Sequence, residues 1–370
     1  MRRTAILTVA VVLAGLLAVA APPASAAEVT KTLNAEIAGG SAWAVENLAG
    51  VMTVVPGDGA GVTISATVHA ESEELAGSIR IEQVSGPKGV PTLRVRYPVG
   101  NHQTYRYPKL NGEHSSSLMH WFGGGTQIDY DGQRVKITGS GGSLLYVDLE
   151  VQVPAKAAAG ALINHVGKVD AKGVQGDLHF VADNGAVALD KIGGSIKVTT
   201  GSGDVHATDG TGSMAVETGS GDIHIEEFSG EQIRCDVGSG DVTLRSGMVG
   251  KVVVDTGSGD VSVEALDAEE FVSETGSGDI EFEAAGNRLV KVKTETGSGD
   301  VTLMLGPDAS FDVRADQGSG DLLNRYADAT PIAKGREIVG YRRGDGRIQV
   351  RVDTGSGDLV IEPEKNARKI

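Results

Sequence analysis

The sequence predicts an all-β protein: a β-solenoid (β-helix-like) of about eleven coils of 18–21 residues, with an irregular N-terminal β capping region. Three observations carry this prediction. A glycine turn recurs at near-constant spacing, the residues on both sides of it alternate apolar with charged, and the composition suits a thin core repeated along an axis.

The tetrapeptide Gly-Ser-Gly-Asp begins at Gly201, Gly219, Gly238, Gly257, Gly276, Gly297, Gly318 and Gly355, at intervals of 18, 19, 19, 19, 21, 21 and 37 residues. Weaker turns at Asn164 to Gly167 and at Asp183-Asn184-Gly185 carry the frame backwards. Five and three residues before the first glycine stand Ile196 and Val198, Met214 and Val216, Ile233 and Cys235, Val252 and Val254. Between and after them come Lys197, Glu217, Arg234, Asp236 and Asp255, which face water. Beyond the turn the alternation resumes with Val205, Ile223, Val242, Val261, Ile280 and Val301. A period of two on both sides of a turn means two short strands per coil, each with one buried face. Two such strands bury nothing alone. Stacked coils, about 4.8 Å apart, give every strand a partner and fuse the apolar columns into one core.

Composition agrees. The chain has 53 glycines in 370 residues and only 4% aromatic residues, too few for a large aromatic core, whereas 40% hydrophobic residues is too many for a disordered chain. The net charge of −16, from 33 basic and 49 acidic residues, opposes nucleic acid as a partner, because phosphate binding needs clustered basic charge. Anionic membranes are disfavoured for the same reason. Cys235 is the single cysteine, so stability rests on packing and backbone pairing.

Residues 1–26 read as a signal peptide: Arg2 and Arg3, an apolar run from Ala5 to Ala20, and Ala24-Ser25-Ala26 as a small-x-small cleavage site. Cleavage near Ala26 places the mature chain in a secreted, periplasmic or cell-surface location, with no transmembrane segment expected in it. Residues 27–155 form the N-terminal β region. Within it Val51 to Val55 and Val62 to Val68 read as an early coil, and 98–133 as a long loop. Residues 156–370 form the repeat array, interrupted at 324–346 by an insertion read as a projecting hairpin.

Ala44 to Val51, Val147 to Pro154 and the Thr-Gly-Ser-Gly-Asp-Val turns resemble the bacterial "putative adhesin" family of unknown function, whose members are extracytoplasmic β-strand-repeat proteins. The resemblance spans about residues 42–69 and 144–362. It implies the fold and an exported, non-catalytic role, and brings no catalytic motif with it.

The aspartate column is the most conspicuous chemistry. Asp222, Asp241, Asp260, Asp279 and Asp300 are the candidate Ca²⁺ ligands, since stacked carboxylates repel and hard cations relieve them. The alternative is that each carboxylate accepts hydrogen bonds from its own turn amides. A second acid column two residues before each turn invites cross-coil salt bridges with the basic column beside it. Thr200, Thr218, Thr256, Thr275, Thr296 and Thr354 should stack as a hydroxyl ladder, His206 and His224 as paired surface rings, and Cys235 should lie in the core. Tyr105, Tyr107, Trp121 and Phe122 belong to an aromatic-rich stretch that reads either as a cap over the open end or as a ligand surface for sugar rings.

No catalytic or cofactor-binding residue is expected. The leading function is an exported scaffold that binds envelope polysaccharide, another surface protein or extracellular material. One alternative is a calcium-stiffened rod. The other is a polysaccharide-degrading enzyme, for which Arg325, Arg336, Arg342, Arg343 and Arg347 are the irregular basic residues.

Overall fold

The computed structural model describes residues 28–108 and 125–364, so the leader at 1–26, Trp121 and Phe122 lie outside the described residues. The chain is all-β, and its described residues include one short helix at Glu73–Ser78 and one 3-10 turn at Pro87–Gly89. The expected solenoid is present. Gly193–Ser202 pairs in parallel with Thr211–Ser220, setting Ile196 opposite Met214 and Val198 opposite Val216. On the other row Val205–Thr208 pairs in parallel with the start of Ile223–Ser239. The long strands Ile223–Ser239, Val242–Ser258 and Val261–Thr275 run on through the second corner, each ending one coil and beginning the next.

The inward columns are buried as the alternation requires: Ile196, Val198, Met214, Val216, Ile233, Cys235, Val252 and Val254 are at most 2% exposed. They belong to one continuous core that reaches from Ile37 to Ile361. The third residue of each turn shows why glycine recurs. Gly259 has φ +148°, and a Cβ there would stand 2.0 Å from the carbonyl oxygen of Gly240 in the preceding coil. Both the backbone conformation and the stacking distance exclude a side chain.

The coils do not stack in chain order throughout. Ile348–Ser356 pairs in parallel with Lys291–Ser298 on one side and with Phe311–Ser319 on the other. Leu359–Pro363 likewise lies between Val301–Leu305 and Leu322–Asn324. The last coil in sequence is therefore the penultimate coil in space. Residues 324–346 contain a hairpin, Thr330–Lys334 and Glu337–Arg343, which does not project. Its second strand pairs antiparallel with the outer edge of Phe311–Ser319 and covers the end of the stack. Pro331 and Lys334 sit on the last strand, where a missing donor and a charge discourage further pairing.

The N-terminal region corrects the early-coil expectation. The coil is Trp43–Ala49 followed by Met52–Gly57, which pair in parallel with Gly160–Val166 and Val169–Lys172. Gly61–Ala70 is not its second strand. It pairs antiparallel with Val29–Ala38 and with Ser143–Pro154. All seven residues of Trp43–Ala49 are buried, so no alternation marks this strand in the sequence, whereas Val62 to Val68 alternates as any half-buried strand does. Within 98–133, Thr104–Arg106 and Thr126–Tyr130 are strands and pair with Gln133–Thr138; residues 109–124 of that stretch lie outside the described residues.

Candidate functional site

The Gly-Ser-Gly-Asp turns form a ridge along the stack, and its aspartates are joined in a way the sequence did not indicate. Each carboxylate accepts a hydrogen bond from the backbone N–H of the aspartate in the next coil. Asp222 N–H donates to Asp204 Oδ1 at 3.0 Å, Asp241 to Asp222 at 3.0 Å, Asp260 to Asp241, Asp279 to Asp260 and Asp300 to Asp279 at 2.8 Å each. An N–H dipole aimed at each carboxylate offsets the repulsion along the column. This differs from capping by the same turn's amides. Among the described residues no three His, Cys, Asp or Glu side chains converge as a metal site.

Behind the ridge lies the second acid column. Glu217, Asp236, Asp255, Glu274, Glu295, Asp353 and Asp316 stand in register on successive strands. Only part of it is neutralised across coils: Lys197 reaches Glu217 at 2.9 Å, whereas Arg234 meets Asp236 along its own strand at 3.6 Å. Towards the C-terminal end Lys293, Arg351 and Arg314 also stand in register, so a basic stripe runs beside the acidic one. The outward face thus carries parallel rows of charge at the strand spacing of about 4.8 Å.

The threonines turn inward beneath the turns. The column stacks in register, Thr200 against Thr218 and Thr256, Thr275, Thr296 and Thr354 in succession. Thr275 Oγ1 donates to Gly259 O at 3.2 Å and Thr296 Oγ1 to Gly278 O at 3.1 Å, whereas the buried hydroxyls of Thr200 and Thr218 have no hydrogen-bond partner. His206 and His224 stack as expected, with ring centroids 5.0 Å apart, and His224 Nε2 meets Glu226 at 2.7 Å. Cys235 is fully buried, and burial pushes its thiol up to about 12, which leaves it unreactive.

Tyr105 and Tyr107, expected either in a cap or on a ligand surface, are 0% and 1% exposed and offer no ring face to solvent. Tyr105 packs against Tyr97, and Tyr107 against Tyr146. Alternation in the short strand Thr104–Arg106 turns the Tyr105 ring into the core of the N-terminal region, and Tyr107, the next residue of the same parity, follows it, its backbone N–H donating to Thr138 O at 2.8 Å. A ligand surface built on these two side chains is corrected by their burial.

Two polar groupings escaped the sequence reading. Asn47 and Asn164 are fully buried neighbours: Asn47 Nδ2 donates to Val147 O at 2.8 Å and to Asn164 Oδ1 at 3.0 Å, and Asn164 Nδ2 donates to Gly50 O at 2.8 Å. They hold the turn of the first coils where threonine serves later ones. Asparagine in the threonine frame was the available signal. Nearby, Glu46 binds Arg94 at 2.7 Å and His165 at 3.3 Å, His165 binds Asp183 at 2.6 Å, and Arg94 binds Asp131 at 2.9 Å. Burial alone would lower the His165 pKa; the hydrogen bonds to Asp183 and Glu46 outweigh it and push the imidazole up to about 9. This network ties the N-terminal region to the array. Its members come from four separate strands and a turn, and no spacing in the sequence brings them together.

A shallow groove lined by Asn34, Glu36, Thr63, Ser65 and Gln152 crosses the sheet of Val29–Ala38 and Gly61–Ala70. No helix among the described residues is long and apolar enough to cross a membrane.

No curated protein matches the chain. Among solved structures it is similar to a putative adhesin from Parabacteroides distasonis ATCC 8503, with 13% identity over 89% of this chain and 96% of that one and a TM-score of 0.41. It is also similar to a putative adhesin from Bacteroides fragilis NCTC 9343, with 9% identity, coverage of 91% and 98%, and a TM-score of 0.37. A putative lipid binding protein from Parabacteroides distasonis ATCC 8503 is similar at 12% identity, 90% and 96% coverage, and a TM-score of 0.41. The Toastrack DUF4097 family model matches residues 190–362 of the chain.

Proposed function

We propose that the protein is an exported, non-catalytic scaffold that binds extracellular or envelope polysaccharide along the outward face of its coils. The observation that carries this reading is the in-register acid column from Glu217 to Asp316, one carboxylate per coil, beside the aspartate ridge. Carboxylates accept hydrogen bonds from sugar hydroxyls, and this column offers one acceptor at every strand spacing of about 4.8 Å. Such a face meets a periodic polymer with the same group at every step. Catalysis needs a few differently placed groups converging on one atom, and the array repeats one set of residues. The apolar run at Ala5 to Ala20 and the Ala24-Ser25-Ala26 site support export.

The test is binding of the chain from residue 27 onward to a panel of envelope and extracellular polysaccharides, with Ca²⁺ and with chelator. Saturable binding to at least one glycan is expected. No binding by the folded chain in either condition would sink the reading.

A further inference from the structure

The placement of the last coil carries an inference of a different kind. Residues 348–363 enter a slot whose two walls, the coils at 291–305 and 311–324, both precede them in sequence. The slot is held largely by backbone. Val301 N–H donates to Asp358 O at 2.8 Å and Leu359 N–H to Asp321 O at 2.9 Å, so each wall is hydrogen-bonded to the insert. The aspartate relay passes through it as well: Asp358 N–H donates to Asp300 Oδ1 and Asp321 N–H to Asp358 Oδ1, both at 2.8 Å. Val350 and Ile361 of the insert are fully buried, so an empty slot would expose core.

The walls are also joined without the insert. Arg343 Nη1 donates to Pro307 O and Ala309 O at 2.8 Å each and lies over the Tyr326 ring at 4.9 Å, clamping the hairpin to the loop between the two walls. The insert is tethered only through 344–347, where Gly344 and Gly346 take positive φ of +62° and +74°.

We propose that this slot is a strand-acceptor site and that its second occupant is the same coil of another copy of this chain. Copies exchange final coils, and every contact of the slot is kept while only the 344–347 tether changes course. Exchange of an identical element is a low-cost route from monomer to dimer, and donation of strands to a gap in a sheet uses the same ladder bonds that hold this coil.

Ser298 and Ser356 are exposed and stand opposite each other across one wall of the slot, so an S298C/S356C variant reports whose coil fills it. Buried Cys235 does not compete. The variant is held at high and low concentration near the onset of unfolding, cooled, oxidised, and read by non-reducing electrophoresis and peptide mapping. Before incubation the 298–356 cross-link is expected within one chain. After incubation a fraction should run as covalent dimers linked 298 to 356 between chains, and that fraction should rise with concentration. Cross-links confined to single chains at every concentration would overturn the proposal, and so would a folded variant that forms none. A parallel arm uses wild-type chains with two different tags; mixed species are expected after the same incubation, and their absence would overturn it too.

Discussion

The array at 193–305 and the region at 28–154 solve the same problem in opposite ways. In the array the same few contacts recur in every coil: a glycine turn, one inward threonine or its substitute, and an aspartate that accepts from its neighbour's amide. In the N-terminal region parallel and antiparallel pairings mix, and the strands are held by single groupings, the Asn47–Asn164 pair and the Glu46–His165–Arg94 network. Repetition spreads stability over many small bonds and depends on close stacking. The irregular region concentrates it in a few buried polar groups, each costly to lose.

Glycine substitution should separate the two most sharply. Gly259→Ala drives a Cβ to 2.0 Å from Gly240 O at φ +148°, and should cost about 3 kcal/mol or more in denaturant unfolding. Gly77→Ala, in the helix Glu73–Ser78 with nothing within 4 Å of the added Cβ, should be neutral or stabilise by up to about 1 kcal/mol. Equal losses at the two sites would break the comparison. The next effect is on the polar side. Asn164→Ala strips Gly50 O, Gly167 O and Asn47 of a buried partner and should cost roughly 2–4 kcal/mol, whereas Thr256→Val loses one 3.4 Å bond and should cost under about 1 kcal/mol.

His165 gives the comparison a pH axis. Its folded pKa lies near 9, above the ordinary 6.5, so its contribution is fully present below about pH 6.5 and is lost as pH rises towards 9. Wild type should lose roughly 2–3 kcal/mol over that window relative to His165→Gln, measured as unfolding free energy at fixed ionic strength. A pH-independent difference would remove the network from the account.

The smallest effect concerns the second corner of the array, where Lys191, Asp209, Glu227, Ser246 and Ala265 all hold positive φ of 51° to 58°. The equivalent corner at Gly173 is already glycine. Glu227→Gly should release left-handed strain and stabilise by about 0.5 kcal/mol, read as a small rise in Tm.

Most of the array was legible because alternation and turn spacing are properties of neighbouring residues. Ile196, Val198, Val205 and their equivalents could be assigned inward one coil at a time. The stacking order could not, since a Gly-Ser-Gly-Asp turn at Gly355 fits against the one at Gly297 as well as the one at Gly318 does. Trp43–Ala49 was missed as a coil strand because burial of both faces erases the period. On the candidate face, the acid column was visible as a column, but the amide that each turn aspartate accepts from belongs to another coil, a fact about register. For Tyr105 and Tyr107 the sequence leaves a cap and a ligand surface both open, because a three-residue strand is too short for alternation to decide between them.

The central claim is that recognition belongs to the repeated outward face of the array. The most direct measurement is glycan affinity of wild type beside the triple variant Asp255→Asn, Glu274→Gln, Glu295→Gln, with the triple variant Glu73→Gln, Glu74→Gln, Glu82→Gln in the N-terminal region as the charge-matched control. The account predicts a loss of about tenfold or more for the triple variant and none for the control. Undiminished binding by a folded triple variant would contradict it.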